Sequence, residues 1–156
     1  MLVAAVLASA CGSPVQPSQP TGGLPLTVGG LPVTYRERAA SEWGDQLAVF
    51  EGPIKAVGGD LTTASVATGL GPTGFTLTAI TVPGVDGRKL IDPMIAAAGF
   101  QSAARQTVAI GGRSVVVLTL PPTTRDRAYV YAFGDTVIVM TTSEPAFAEE
   151  ALRSFP

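Results

Sequence analysis

AYVYAFGDTVIVMTT, residues 128 to 142, decides the fold class. Both arms are rich in β-branched and aromatic residues, and Gly134-Asp135 between them is a two-residue turn signal, so the stretch reads as a β-hairpin. Tyr129, Tyr131 and Phe133 fall on one side of the first arm, with Val130 and Ala132 on the other. Side chains alternate along a strand, so this hairpin belongs to a sheet with two unlike faces.

Similar segments extend outward from it. SVVVLTL (114 to 120) is a further strand, joined through Ile110-Gly111-Gly112-Arg113 to apolar residues before it. Val28-Gly29-Gly30-Leu31 repeats that Gly-Gly setting for a hairpin. FTLTAITV (75 to 82) alternates Phe75, Leu77 and Ala79 against Thr76 and Thr78, and TTASVAT (62 to 68) is expected to pair with it across GLGPTG.

Three segments have helical spacing. Phe147, Ala148, Ala151, Leu152 and Phe155 follow Ser143, a good N-cap. Leu90, Ile91, Met94, Ile95 and Ala98 form a stripe closed by Gly99; either Asp86 caps a helix kinked at Pro93, or Asp92 caps a shorter one. A weaker helix over 45–57 carries Leu47, Phe50, Ile54 and Val57 but is interrupted by Gly52 and Pro53. The expected architecture is α+β: a mainly antiparallel sheet built from hairpins, with two or three helices packed on one face. A Gly-Gly hairpin, a second hairpin and a helix occur in that order before residue 99 and again after 106, which suggests an internal duplication.

Composition narrows the chemistry. Of 156 residues, 46% are hydrophobic and 14% charged, enough apolar material for a core. Ten Lys and Arg against twelve Asp and Glu, with no long run of either sign, argue against nucleic acid as a partner. The chain has no histidine and one cysteine, so Ser-His-Asp triads, Cys-His pairs, zinc-finger spacings and an intramolecular disulfide are ruled out. No metal or cofactor is expected. GLGPTG (69 to 74) lacks the Lys-Ser/Thr of a phosphate loop, and Glu149-Glu150 read as a solvated helix face.

The lone cysteine has its own setting. MLVAAVLASA (1 to 10) is apolar, made mostly of small residues, and too short to span a bilayer. Leu7-Ala8-Ser9-Ala10-Cys11-Gly12 resembles the lipobox of bacterial lipoproteins. The resemblance implies cleavage before Cys11, diacylglycerol on its thiol, and anchoring on the extracytoplasmic side of the cell membrane. No Lys or Arg precedes the apolar run, so a basic leader is expected upstream of Met1. Ala8-Ser9-Ala10 also fits ordinary secretory cleavage, and an incidental cysteine on a frayed terminus is the third reading. Residues 11 to 23, rich in Pro, Ser, Gln and Gly, read as a tether leading to a single α+β domain over 24–156.

Candidate binding residues fall in three places. RERAASEW (36 to 43) brings Arg36 and Trp43 together, as a recognition surface or as a solvated segment whose Trp closes a core edge. Arg125 and Arg127 flank Asp126, suited to a carboxylate or phosphate or else self-neutralised. Tyr129 and Tyr131, with Phe133, either line an apolar pocket or form core beneath a helix. No catalytic residue is assigned. The expected function is non-catalytic binding or envelope-protein interaction by a membrane-anchored lipoprotein. A carrier of a lipid or other apolar ligand would need a cavity between sheet and helices, and a secreted hydrolase would need a carboxylate pair in a cleft.

Overall fold

In the computed structural model the hairpin at 128–142 is strands β8 (Arg127–Phe133) and β9 (Thr136–Thr142), paired from Arg127↔Thr142 to Phe133↔Thr136. The structure describes residues 23–28, 30–70, 75–119 and 127–156. The remaining strands are β1 (Thr27–Val28), β2 (Leu31–Pro32), β3 (Thr34–Ala39), β4 (Ser65–Leu70), β5 (Thr76–Thr81), β6 (Ala104–Ile110) and β7 (Arg113–Thr119). Among the described residues, β3 to β9 form one antiparallel sheet in the order β3-β4-β5-β9-β8-β7-β6, and β1-β2 form a small separate one. The expected pairings of 62–68 with 75–82, and of the strands around both Gly-Gly signals, are present. Gly111 and Gly112 have φ of +59° and +80°, the two positive values that a tight turn matched to strand twist requires.

The helices are α1 (Ala48–Ala56), α2 (Ile91–Ala97) and α3 (Pro145–Ser154), with 3-10 segments leading into α1 (Ala40–Leu47) and α2 (Gly87–Leu90). The α+β class and the antiparallel sheet are as the sequence indicates, and two helices share one face as expected; the third lies on the other. α1 and α2 pack on one face, where Val66, Ile80, Val130 and Val137 point, whereas α3 packs on the other with Leu77, Tyr129, Tyr131 and Ile138. The reason lies in the central strands: β8 is buried on both sides from Ala128 to Ala132, and a strand apolar on both faces needs cover on both.

The duplication holds as element order only. Antiparallel neighbours such as β5 and β9 could be related only by a twofold axis normal to the sheet, which would keep following helices on one face, yet α2 and α3 lie on opposite faces. The Gly-Gly hairpin β1-β2 also stands outside the main sheet, whereas β6-β7 forms its edge. At α3, Ser143 is not the cap: Pro145 occupies the first turn and holds Glu144 extended, and Glu144 N donates to Thr142 Oγ1 at 3.1 Å.

Candidate functional site

The face beneath α1 and α2 is incompletely filled. Leu47, Phe50, Ile54 and Val57 give α1 its apolar side, and the helix runs through Gly52 and Pro53 instead of breaking there. Proline at 53 leaves the Val49 carbonyl without its helical donor, and Val49 is exposed, so water can satisfy that oxygen. Ahead of α2, the Asp86 side chain accepts from Arg88 N at 3.0 Å and caps the 3-10 turn. Asp92 lies inside α2, 2.6 Å from exposed Arg105 on β6. At the C-terminal end of α2, Gly99 N donates to Ala96 O and Phe100 N to Ile95 O, a closing motif that turns Phe100 back toward the sheet.

Between these helices and the sheet lies a cavity of about 200 Å³. Its floor is Ile80, Leu118, Val130 and Val137, all buried; its roof is Leu47, Phe50, Met94, Ile95, Ala98 and Phe100. Thr78 and Val139, half-buried, form the rim with Phe50, Phe100 and exposed Ala98. The lining is almost wholly hydrocarbon, with the Thr78 hydroxyl as its polar side-chain group. The cavity follows from element lengths and side-chain size: α1 and α2 are short, and two of the four floor residues beneath them are valine. An apolar cavity of roughly 150 Å³ stays dry and takes up a small hydrocarbon, and this one is of that order.

Two other depressions differ in kind. A groove of about 460 Å³ between α1 and the segments Ala40–Leu47 and Leu61–Thr63 is open and carries Glu51, Lys55 and Asp60. Asp60 Oδ1 accepts from Thr62 N at 2.8 Å and Thr62 Oγ1 at 2.7 Å, and these bonds hold its carboxyl below the usual range; the group serves as a turn cap. A cleft of about 220 Å³ beside α3 is lined by Gln106, Arg127, Tyr129, Glu149 and Arg153. There burial pushes the Tyr129 phenol upward, opposed by the charge and hydrogen bond of Arg127.

Of the residues singled out in the sequence, Arg127 and Tyr129 meet in the cleft beside α3, and the others do not converge. Cys11 and Arg125 lie outside the described residues. Tyr129 and Tyr131 do not line an apolar pocket: both are buried under α3, Tyr129 reaching the cleft it shares with Arg127, and the Tyr131 hydroxyl donates to Pro156 O at 2.7 Å. They are core because α3 needs a wide aromatic face to bury its alanines. Arg127 is exposed at the start of β8. Arg36 is exposed on edge strand β3, in register with Thr68. Trp43 is half-buried against the α1–α2 core, with its Nε1 buried and without a hydrogen-bond partner. The sequence does not mark the cavity residues Phe50, Thr78, Met94, Phe100, Leu118, Val130, Val137 and Val139 as a site; its one signal is that Val130 and Ala132 are small where Tyr129, Tyr131 and Phe133 are large.

Among the described residues, no group of three or more His, Cys, Asp or Glu side chains is placed to hold a metal ion, and no helix is long and apolar enough to cross a membrane. No protein-family model, no curated protein and no solved structure matches this chain.

Proposed function

We propose that this protein is an extracytoplasmic lipoprotein whose domain binds a small apolar ligand, or the end of an alkyl chain, in the cavity under α1 and α2. The observation that carries this reading is the hydrocarbon lining of a cavity that opens at Thr78 and Val139. An anchor on Cys11 with the tether after it would hold the domain near a source of such ligands. Burying about six methylenes at about 0.8 kcal/mol each gives roughly 5 kcal/mol, a dissociation constant in the sub-millimolar range. The hydrolase alternative has no observation in its favour: the described carboxylates are exposed, apart from half-buried Asp135 in the β8–β9 turn.

Calorimetric titration of the full chain with 1-octanol tests the binding. One saturable site is expected, abolished by Ala98→Trp, which sets an indole at the exposed edge of the cavity lining, with a cooperative thermal transition retained. Absence of saturable binding, or binding unaffected by Ala98→Trp, would overturn it. The anchor has a separate test. Intact mass of the protein made from its full upstream reading frame should correspond to cleavage before Cys11 plus acyl chains, and Cys11→Ser should remove them.

A further inference from the structure

The α1–α2 face continues beyond the cavity onto a stretch of sheet that no helix covers. Antiparallel register places Arg36, Thr68, Thr78 and Val139 side by side on β3, β4, β5 and β9, all pointing to this face. Thr78 and Val139 are the cavity rim, so Arg36 stands two strands from it, about 10 Å at the usual strand spacing. The neighbouring row carries Thr76 and Thr141, whose hydroxyls are hydrogen-bonded to each other. Arg38, also exposed, faces the same way in register with Val66 and Ile80.

The charge on this surface is one-sided. In a chain with more acidic than basic residues, the positions of β3, β4, β5 and β9 that point to this face include two arginines and no acid. Glu37 alternates to the opposite face, and Glu51 of α1 lines the groove on the other side of that helix. Among the described residues the ion pairs are Arg105–Asp92 and Arg153–Glu149, so neither Arg36 nor Arg38 is neutralised by a described carboxylate. A cavity that takes hydrocarbon thus opens toward threonine hydroxyls and two guanidinium groups.

Building on the proposed cavity reading, we infer that the ligand is a single-chain amphiphile with an anionic head, its chain in the cavity and its carboxylate or phosphate over Thr68 toward Arg36 and Arg38. Guanidinium suits both heads, because its planar donors match their paired oxygens.

The test is titration of the full chain with octanoate, octyl phosphate and 1-octanol, equal in chain length and different in head. Either anion should bind about fivefold or more tighter than the alcohol, since partly exposed charge-assisted contacts add modestly to a buried chain. Which anion is tighter identifies the head as carboxylate or phosphate. In Arg36→Gln/Arg38→Gln the anions should fall to the affinity of octanol, while octanol itself is unchanged. Equal affinity for all three ligands, or an anionic advantage that survives the double substitution, would overturn this inference and leave the cavity reading intact. Failure of all three to bind would overturn both. An anion that still binds to Ala98→Trp would overturn the placement of its chain.

Discussion

The two faces of the sheet are made from the same strands but closed in different ways. On the α3 face, Val28 of β1 and Leu24 ahead of it pack with Ala148, Ala151, Leu152 and Phe155, all nearly inaccessible. Rings meet there edge to face, Phe75 against Phe147 at 5.3 Å, and Tyr131 stacks on Phe133 at 5.9 Å. Polar groups then tie down the ends: Tyr35 donates to Pro25 O at 2.9 Å, and Arg113 Nε donates to Pro156 O at 3.1 Å. The α1–α2 face has valine where its opposite has tyrosine, two short helices for cover, and a cavity. Both faces carry nearly inaccessible residues, and the contrast lies in the space that the α1–α2 face keeps for a ligand.

The strongest way to break this comparison is to truncate one side chain on each face. Leu152→Ala should cost about 3 kcal/mol, the range for a fully buried leucine, whereas Val139→Ala at the cavity rim should cost less than about 1 kcal/mol. Urea denaturation of both variants checks it. Equal losses would mean that the rim is as tightly packed as the α3 core.

Next in size is the seam that holds α2 in place. Gly87 N donates to Gly134 O at 2.9 Å, and a Cβ at 87 would lie 2.5 Å from Thr136 O. Gly87→Ala should therefore cost about 2 kcal/mol by forcing the lead-in of α2 off the β8–β9 hairpin. Hydrogen exchange should accelerate across α2 first and leave α3 at the rate set by global unfolding. Uniform acceleration would show that the faces do not open separately.

Adding volume sharpens the contrast from the opposite direction. Ala151→Leu, beneath α3, should destabilise by roughly 1.5 kcal/mol through overpacking, while Val139→Leu should cost nothing or stabilise slightly, because its extra methylene has space beside it. Thermal melts of the pair decide between these outcomes.

The smallest effect expected is on pH dependence. Tyr35 packs on the α3 face, and burial raises its pKa from 10.0 to about 12. Between those values the unfolded chain has released the phenolic proton and the folded chain retains it. This contribution to stability is complete below about pH 10 and is lost as the pH rises through about 12. Because the ring is only partly buried, it amounts to roughly 1 kcal/mol after allowance for solvent screening. Tyr35→Phe should flatten the stability profile in that window.

The hairpins were legible in the sequence because alternation and Gly-Gly signals are local properties. The unlike character of the two faces was also legible, from Tyr129, Tyr131 and Phe133 against Val130 and Ala132. The side taken by α3 was not: a stripe such as Ala148, Ala151 and Leu152 says that a helix buries one side, but carries no information about which sheet face receives it. The start of α3 was misplaced because the constraint of Pro145 on Glu144 outweighed the capping preference of Ser143. The cavity was illegible for a deeper reason. It consists of volume that Phe50, Met94 and Phe100 leave unfilled over Val130 and Val137, and such a volume depends on how far apart two helices settle. Arg36 could be named as a candidate, but its partner residues Thr68 and Thr78 emerge only from strand register.

The most direct measurement is methyl NMR of the full chain during titration with 1-octanol. The account predicts saturable shifts at Ile80, Leu118, Val130 and Val137, with Leu77, Val115, Val117 and Ile138 on the α3 face unmoved. Shifts distributed over both sets, or confined to the α3 set, would contradict the division of the sheet into a packed face and a binding face.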